Sequence, residues 1–246
     1  IKDLTCLLRD RAQSLQLVLY LGIAAFYIII FGFMSAAVNL LPVANQLWWA
    51  FLGWINVLLS GLILNAVMTR LVYPSISLEG KALWILVIAP LDIRQLVRAK
   101  FWCWLPMTLL VSLSLITAGS FAIGLSAEVK VYTVLIAIAM SIGFTGLAIG
   151  LGAIFAKFEW EAPNQISAGI GTLVLLPLGL LLAAVSSIPA GIMIALVQVP
   201  AIQNYLGYPL ALSLLVLSTL LIFLINWSVA SWSCRAGSNR LLQKIT

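Results

Sequence analysis

Side chains that commonly perform chemistry are scarce in this chain of 246 residues. Histidine is absent, which removes the commonest general base and metal ligand. The cysteines, Cys6, Cys103 and Cys234, show neither a CxxC pair nor another metal-binding spacing. These features argue against proteases with a Ser-His pair, zinc proteases and haem proteins with histidine ligands.

Acidic residues are equally restricted in position. All seven fall in predicted loops or in the N-terminal segment, namely Asp3, Asp10, Glu79, Asp92, Glu128, Glu159 and Glu161. Carboxylates inside the membrane are the usual proton or sodium relays of pumps and secondary transporters. An aspartyl intramembrane protease would also need membrane aspartates. We therefore expect a chain that is not an enzyme, and any transport that it performs would draw energy from a cytoplasmic partner.

Composition identifies the elements that must position these few side chains. Hydrophobic residues make up 63% of the chain and charged residues 8%, with a mean hydropathy of +1.16. A soluble domain carries about 25% charged residues. A soluble enzyme, a nucleic-acid-binding domain and a disordered regulator are therefore excluded. The chain is predicted to be an all-α, polytopic integral membrane protein.

Six apolar runs are each long enough to cross a bilayer as a helix. They cover approximately residues 17–38, 48–68, 102–125, 131–155, 166–185 and 210–232. A shorter apolar run at 188–200 is bracketed by Pro189 and Pro200. Its length predicts a re-entrant half-helix before the last span, and the alternative is a seventh, distorted span.

The basic residues predict the orientation of these spans. With six spans and a cytoplasmic N-terminus, 12 of the 13 Lys and Arg residues lie on the cytoplasmic side, and Lys130 is the exception. This asymmetry is what the positive-inside rule predicts. Both termini are therefore expected in the cytoplasm, and all three cysteines near the reducing side of the membrane.

Polar residues inside the spans allow two interpretations. They are Asn56, Ser60, Asn65 and Asn226, together with Ser141 and Thr145 in the glycine-rich fourth span. In lipid such groups need partners, so they form either interhelical hydrogen bonds or a translocation surface. Small residues recur at a spacing of four in the fourth span, which favours close helix packing there over a pore lining.

The predicted cytoplasmic segments carry most of the remaining information. Residues 1–15 form an amphipathic pattern that is typical of a helix lying in the headgroup layer. In the longest loop, 70–101, Ser77 is a candidate N-cap for a helix that Pro90 ends, and Asp92 is a candidate cap for a second helix that leads into the third span.

The first of these loop helices is unusually apolar for a solvated segment. It would bury Leu83, Trp84 and Ile85 against another protein or, alternatively, only against lipid. Glu79 and Lys81 flank this apolar face. In the next inner loop, Glu159, Trp160 and Glu161 form an acidic and aromatic patch that either faces a cytoplasmic partner or anchors the ends of the spans.

These residues resemble permeases of type-2 ATP-binding-cassette (ABC) exporters. The six spans, the interfacial first helix, the large first inner loop and the half-helix before the last span are similar in arrangement. The strings YPSISLEG at 73–80, LRD at 8–10 and FEWEAP at 158–163, with Trp84 and Ala89-Pro90, resemble a branch of bacterial ABC exporter permeases. Members of that branch are often about twice this length, so 1–246 would be one permease domain corresponding to a C-terminal half.

The resemblance implies a mechanism and partners. A helix at about 78–89 would dock on a separate ATPase subunit through Glu79, Lys81, Leu83, Trp84 and Ile85, with Glu159, Trp160 and Glu161 nearby. ATP and Mg²⁺ would bind in that subunit, because this chain contains no GxxxxGK[ST] loop and no cofactor site of its own. A second permease half or a homodimer would complete the pathway in the bacterial inner membrane. A passive channel or a non-transporting scaffold is the alternative, and an intramembrane enzyme is a third.

Overall fold

The computed structural model describes residues 22–23, 25–34, 36, 46–82, 93–156, 169–199 and 207–245. Within these residues the chain is helical and has no β-strand. The helices are α1 (Ala25–Met34), α2 (Gln46–Val67), α3 (Ile93–Ile123), α4 (Ala127–Ile154), α5 (Ile170–Gln198) and α6 (Tyr208–Ile245). A π-helix at Met68–Val72 and two 3₁₀ helices, Tyr73–Ser75 and Ser77–Ala82, prolong α2.

Five helices are long and apolar enough to cross a membrane. They correspond to the second to sixth predicted spans, so the all-helical membrane architecture is confirmed. The described part of the first predicted span contains the shorter apolar helix α1. The interfacial helix predicted at 1–15 lies outside the described residues.

Helices α2 to α6 alternate in direction, as close contacts between them show. Glycines of α2 show that it runs antiparallel to α5, because Gly53 lies against Ile194 whereas Gly61, farther along α2, lies against Ala183. By the same test α4 and α6 are parallel, since Gly143 faces Asn226 and Gly150 faces Ser233. Helix α3 is antiparallel to α4, because Thr108 lies against Thr145 and Ser120 against Thr133. The chain at the end of α2 meets the end of α4 where Tyr73 contacts Gly152. The last residues of α2, α4 and α6 therefore share one end of the bundle with the first residues of α3 and α5.

We call this end the basic end, because it carries most of the described cationic side chains. These are Arg70, Arg94, Arg98, Lys100, Arg235 and Arg240. Lys130 lies at the opposite end, where its ammonium group is 4.5 Å from the centre of the Phe121 ring. The charge asymmetry predicted from the sequence is thus present in the folded bundle.

Helix α4 is the centre of the bundle. Of its most apolar stretch 83% is buried, against 22% for α6, which presents large apolar side chains outward. Gly146 and Gly150 let α4 approach α6 closely, because a Cβ atom at either position would overlap Ala230 or Ser233. Lipid supplies no hydrophobic driving force between helices, so their association depends on the close packing that small residues at the contact allow.

The separate half-helix predicted at 188–200 is wrong. Residues 188–198 are the C-terminal part of α5, which is continuous from Ile170 to Gln198 with Pro177 and Pro189 inside it. At 1.5 Å per residue a helix of 29 residues is about 44 Å long. Its last turns pack on α2, where Gly191 lies against the Trp54 ring.

The first inner loop, which is predicted to start at Arg70, begins with a segment that is mostly helical and buried. The chain stays helical to Ala82, and Leu71, Tyr73 and Ile76 are buried in the bundle. At the other end of this segment, α3 starts at Ile93 and continues through the third span without a break. The predicted second helix of the loop is therefore the first part of α3.

Candidate functional site

The segment Met68–Ala82, which we call the α2 extension, is built by a change of helix type. The Thr69 hydroxyl donates to the Asn65 backbone oxygen at 2.7 Å, and the Tyr73 backbone N–H donates to the Met68 oxygen. Pro74 lacks a backbone N–H and occupies the first turn of the following 3₁₀ helix. A wider π turn is thus followed directly by a tighter 3₁₀ turn at the basic end.

Tyr73 fixes the α2 extension against two neighbouring helices, and it is only 3% exposed. A Cβ atom at Gly152 of α4 would lie 2.5 Å from the Tyr73 backbone oxygen. A Cβ atom at Gly171 of α5 would overlap the Tyr73 hydroxyl. Both glycines are therefore required for this approach, and the extension is held where α4 ends and α5 begins.

Glu79 and Lys100 form an ion pair that joins the α2 extension to α3. Lys100 Nζ lies 2.6 Å from Glu79 Oε1, and the two side chains are 7% and 18% exposed, respectively. Burying an ammonium group without a partner would be costly. Glu79, which the sequence analysis assigned to ATPase docking, thus binds a residue of its own chain.

The other residues predicted to dock an ATPase fall largely outside the described residues. These are Leu83, Trp84, Ile85, Glu159, Trp160 and Glu161, and for Lys81 only the backbone is described, within the 3₁₀ helix Ser77–Ala82. The described chain reaches these two segments at Ala82 and Ala156. Both points lie at the basic end. Ala82 ends the α2 extension, whose Tyr73 contacts Gly152 of α4, and Ala156 follows Gly152 by four residues.

Asn56 is the centre of a polar cluster that connects four helices. The Tyr27 hydroxyl lies against the Asn56 side-chain oxygen, and it is 2.9 Å from Ser60 Oγ. Asn56 Nδ2 donates to a backbone oxygen of α3 at 3.2 Å and to Ser120 Oγ at 3.3 Å. Ser120 is in turn 3.0 Å from the Thr133 hydroxyl of α4. All five side chains are buried, so these are interhelical hydrogen bonds.

Asn65 and Asn226 each connect α5 to another helix. Asn65 Nδ2 donates to the Leu176 backbone oxygen at 3.0 Å, and Asn226 Nδ2 donates to Ser186 Oγ at 3.0 Å. The side-chain oxygens of both asparagines are buried without a hydrogen-bond partner among the described residues. A buried acceptor without a hydrogen bond is unfavourable in free energy, and this offsets part of the stabilisation that each Nδ2 hydrogen bond provides.

Ser141 and Thr145 of α4 behave differently from each other. The Thr145 hydroxyl lies 2.7 Å from that of Thr108 on α3, which makes an interhelical contact. The Ser141 hydroxyl donates to the Ile138 backbone oxygen of its own helix at 2.7 Å. Both residues are fully buried in helix contacts.

A groove that the sequence analysis did not predict lies between α3 and α6 at the basic end. Its volume is about 490 Å³. We call it the arginine groove, and its walls include Arg94, Arg98 and Trp102 of α3 and Trp227, Ser231 and Arg235 of α6. Each wall repeats at a spacing of four, which is one face of a helix. That spacing was the available signal, but the two stripes are far apart in the sequence.

Among the described residues, no group of three or more Cys, Asp or Glu side chains is placed to hold a metal ion. Cys103 and Cys234 are free thiols, and Cys234 Sγ lies 3.7 Å from the Gly146 backbone oxygen. Cys234 therefore contributes to the close contact between α4 and α6.

Comparison with known proteins identifies one family. A sequence profile of the family described as "Putative ATP-binding cassette" matches residues 1–233. No curated protein matches the chain, and no solved structure does. The matched range includes α1 to α5 and most of α6, and with them the α2 extension and the three asparagines.

Proposed function

Because the chain belongs to this ATP-binding-cassette family, we propose that it is the transmembrane permease subunit of an ABC exporter in the bacterial inner membrane. The observation that carries the proposal is that the family match covers a bundle with five helices long and apolar enough to cross a membrane. Such a bundle suits a transport pathway. Both termini would lie in the cytoplasm, since the basic end carries the excess of Lys and Arg.

Energy for transport would come from a separate ATPase subunit that holds ATP and Mg²⁺. The sequence contains no GxxxxGK[ST] loop, whose backbone and lysine cradle nucleotide phosphates. The described carboxylates Glu79 and Glu128 belong to opposite ends of the bundle rather than to its middle. Ion coupling through a membrane carboxylate is therefore not supported, and a partner with its own nucleotide site is the simplest source.

The ATPase would dock at the basic end. The apolar residues Leu83 and Trp84 directly follow Ala82, and Glu159 to Glu161 follow Ala156 by a few residues. Since Ala82 and Ala156 lie at the same end, both segments are within reach of one docked subunit. This common origin supports the docking role predicted for residues 78–89.

Two features would carry motion from the docked ATPase to the membrane helices. The Glu79–Lys100 ion pair attaches the base of the docking segment to α3, which is one unbroken helix of 31 residues. Tyr73 attaches the same segment to α4 and α5. Displacement of the segment would therefore move the helices as packed bodies, with a second permease half or a second copy completing the pathway.

Co-purification tests the proposal. The tagged full chain is expressed with its genomic neighbours, and associated proteins with a Walker A motif are identified by mass spectrometry. We expect such an ATPase to co-purify with the native chain, and Leu83→Asp with Trp84→Asp to abolish the association. The control Asn239→Asp with Gln243→Asp places the same two new charges on the exposed surface of α6 near the basic end, and it should leave the association intact.

Two outcomes would contradict the proposal. The first is a well-folded chain with which no Walker-motif ATPase co-purifies, which would favour a passive channel or a scaffold. The second is an associated ATPase whose binding survives both substitutions, which would place the docking surface elsewhere. Trp84→Phe, which keeps an aromatic side chain, should retain binding and separates loss of contact from misfolding.

A further inference from the structure

The arginine groove concentrates positive charge at one place on the membrane-facing surface. Arg98 of α3 and Arg235 of α6 face it from opposite walls, and Arg94 adds a third guanidinium group. Among the described residues that line the groove there is no Asp or Glu. The groove is therefore selective for a negatively charged group.

Arginine side chains are well suited to binding a phosphate group. Its planar guanidinium group can donate two parallel hydrogen bonds to phosphate oxygens. Ser231 adds a hydroxyl group to the wall, and Asn239 adds an amide. A phosphodiester with a small polar substituent matches this combination of donors.

The surroundings indicate that the anion belongs to a lipid. Trp102 and Trp227 line the groove and are 65% and 52% exposed, as tryptophans are in the headgroup layer. Beyond them, toward the middle of the bundle, exposed leucines continue both walls, namely Leu110 on α3 and Leu220 and Leu224 on α6. This apolar surface would take acyl chains, which a soluble phosphate lacks.

We propose that the arginine groove binds an anionic phospholipid of the leaflet at the basic end, with its phosphate between Arg98 and Arg235. Basic pockets between transmembrane helices are suited to anionic headgroups. The described lining of the groove belongs to α3 and α6. A second groove at the opposite end of the bundle provides an internal contrast, because Phe51, Trp54, Ile188 and Ile192 line it without a cation.

The test is native mass spectrometry of the full chain. The chain is incubated in detergent with phosphatidylglycerol or phosphatidylcholine, and the lipid that remains bound after the detergent is removed is measured. We expect one phosphatidylglycerol molecule to be retained in preference to phosphatidylcholine. Arg98→Gln with Arg235→Gln should weaken its binding by about 30-fold, given the contribution of each cation near an anionic lipid. The control Arg70→Gln with Arg240→Gln removes the same charge from exposed positions at the same end, and it should bind as the native chain does.

Three results would overturn the proposal. They are equal retention of the two lipids, equal weakening in the control variant, and displacement of phosphatidylglycerol by soluble glycerol phosphate, which would indicate a site for a free anion. A second measurement holds even if the arginine variant misfolds. Brominated phosphatidylglycerol should quench a larger fraction of the tryptophan fluorescence in the native chain than in a variant with Trp102→Phe and Trp227→Phe. Equal fractional quenching in the two proteins would place the lipid elsewhere.

Discussion

Three buried asparagines lie in the described helices, and each faces a glycine on a neighbouring helix. Asn56 faces Gly119, Asn65 faces Gly179, and Asn226 faces Gly143; a Cβ atom at any of the three glycines would overlap the amide oxygen. The absent side chain lets a neighbouring helix approach each amide closely, and the Nδ2 group of each asparagine donates a hydrogen bond to another helix.

A methyl group at one of these glycines should therefore destabilise the bundle. We expect Gly119→Ala to lower the free energy of unfolding by about 1–3 kcal/mol through overpacking against Asn56. The matched control is Gly32→Ala on α1, where a Cβ atom would meet nothing within 4 Å. Thermal unfolding in detergent micelles measures both, and equal midpoints for the two variants would contradict the assignment.

The Glu79–Lys100 pair makes a second prediction at the residue scale. Glu79→Gln leaves Lys100 buried without its carboxylate, so it should destabilise the chain by about 3 kcal/mol. The exchange Glu79→Lys with Lys100→Glu restores an ion pair and should recover most of that loss. Unfolding by denaturant in micelles provides the measurement. If the double exchange is as unstable as Glu79→Gln, the ion pair is not what holds the α2 extension to α3.

Sequence alone identified the polar residues inside the spans but not their partners. The asparagines stand out because each is an amide within an apolar run. Gly119, Gly179 and Gly143 do not stand out, because glycines are frequent in membrane helices for several reasons. The sequence likewise favours Glu79 as a docking residue, because nothing near it in the chain indicates that Lys100 is its partner.

At the scale of the helices, two segments differ from what their local residues indicate, for related reasons. Pro74 and the serines around it are typical of a loop, and yet this segment is buried, because Gly152 and Gly171 make room for Tyr73. Pro189 is typical of a helix boundary, and yet α5 passes through it. Membrane helices tolerate proline where neighbouring groups accommodate it. Both outcomes depend on contacts between distant segments.

Continuity of α5 can be tested by the sign of a single substitution. Inside a helix Pro189 removes a backbone hydrogen bond, so Pro189→Ala should stabilise the chain, by at most about 3 kcal/mol. At the start of a separate half-helix proline is favourable, and the same change would destabilise. Pro209→Ala, in the first turn of α6, is the control and should not stabilise. A lower unfolding midpoint for Pro189→Ala would contradict a continuous helix.

At the scale of the whole molecule, the charge asymmetry makes the orientation testable. In a variant with all three cysteines replaced by Ala, single reporter cysteines are introduced at Asn239 and Glu128, at opposite ends of the bundle. We expect a membrane-impermeant thiol reagent added to intact cells to label the cysteine at 128 and spare the one at 239. The reverse pattern would invert the assigned topology, and labelling of both would contradict a barrier between them.

The overall architecture was largely predictable, because it depends on long apolar runs and on where the charges fall. The second to sixth spans correspond to α2 to α6, and the described basic residues gather at one end as expected. The arginine groove was not predictable in this way. Arg98 and Arg235 belong to helices far apart in the sequence, and only the folded bundle places them in one lining.

The division of labour between this membrane chain and a separate ATPase is tested most directly by photolabelling. The chain is purified with its co-purifying partners, incubated with azido-ATP and Mg²⁺, and irradiated. We expect the label on a Walker-motif partner and none on this chain, and excess ATP should remove it. Specific labelling of this chain, competed by ATP, would contradict the proposed role as a permease subunit without a nucleotide site.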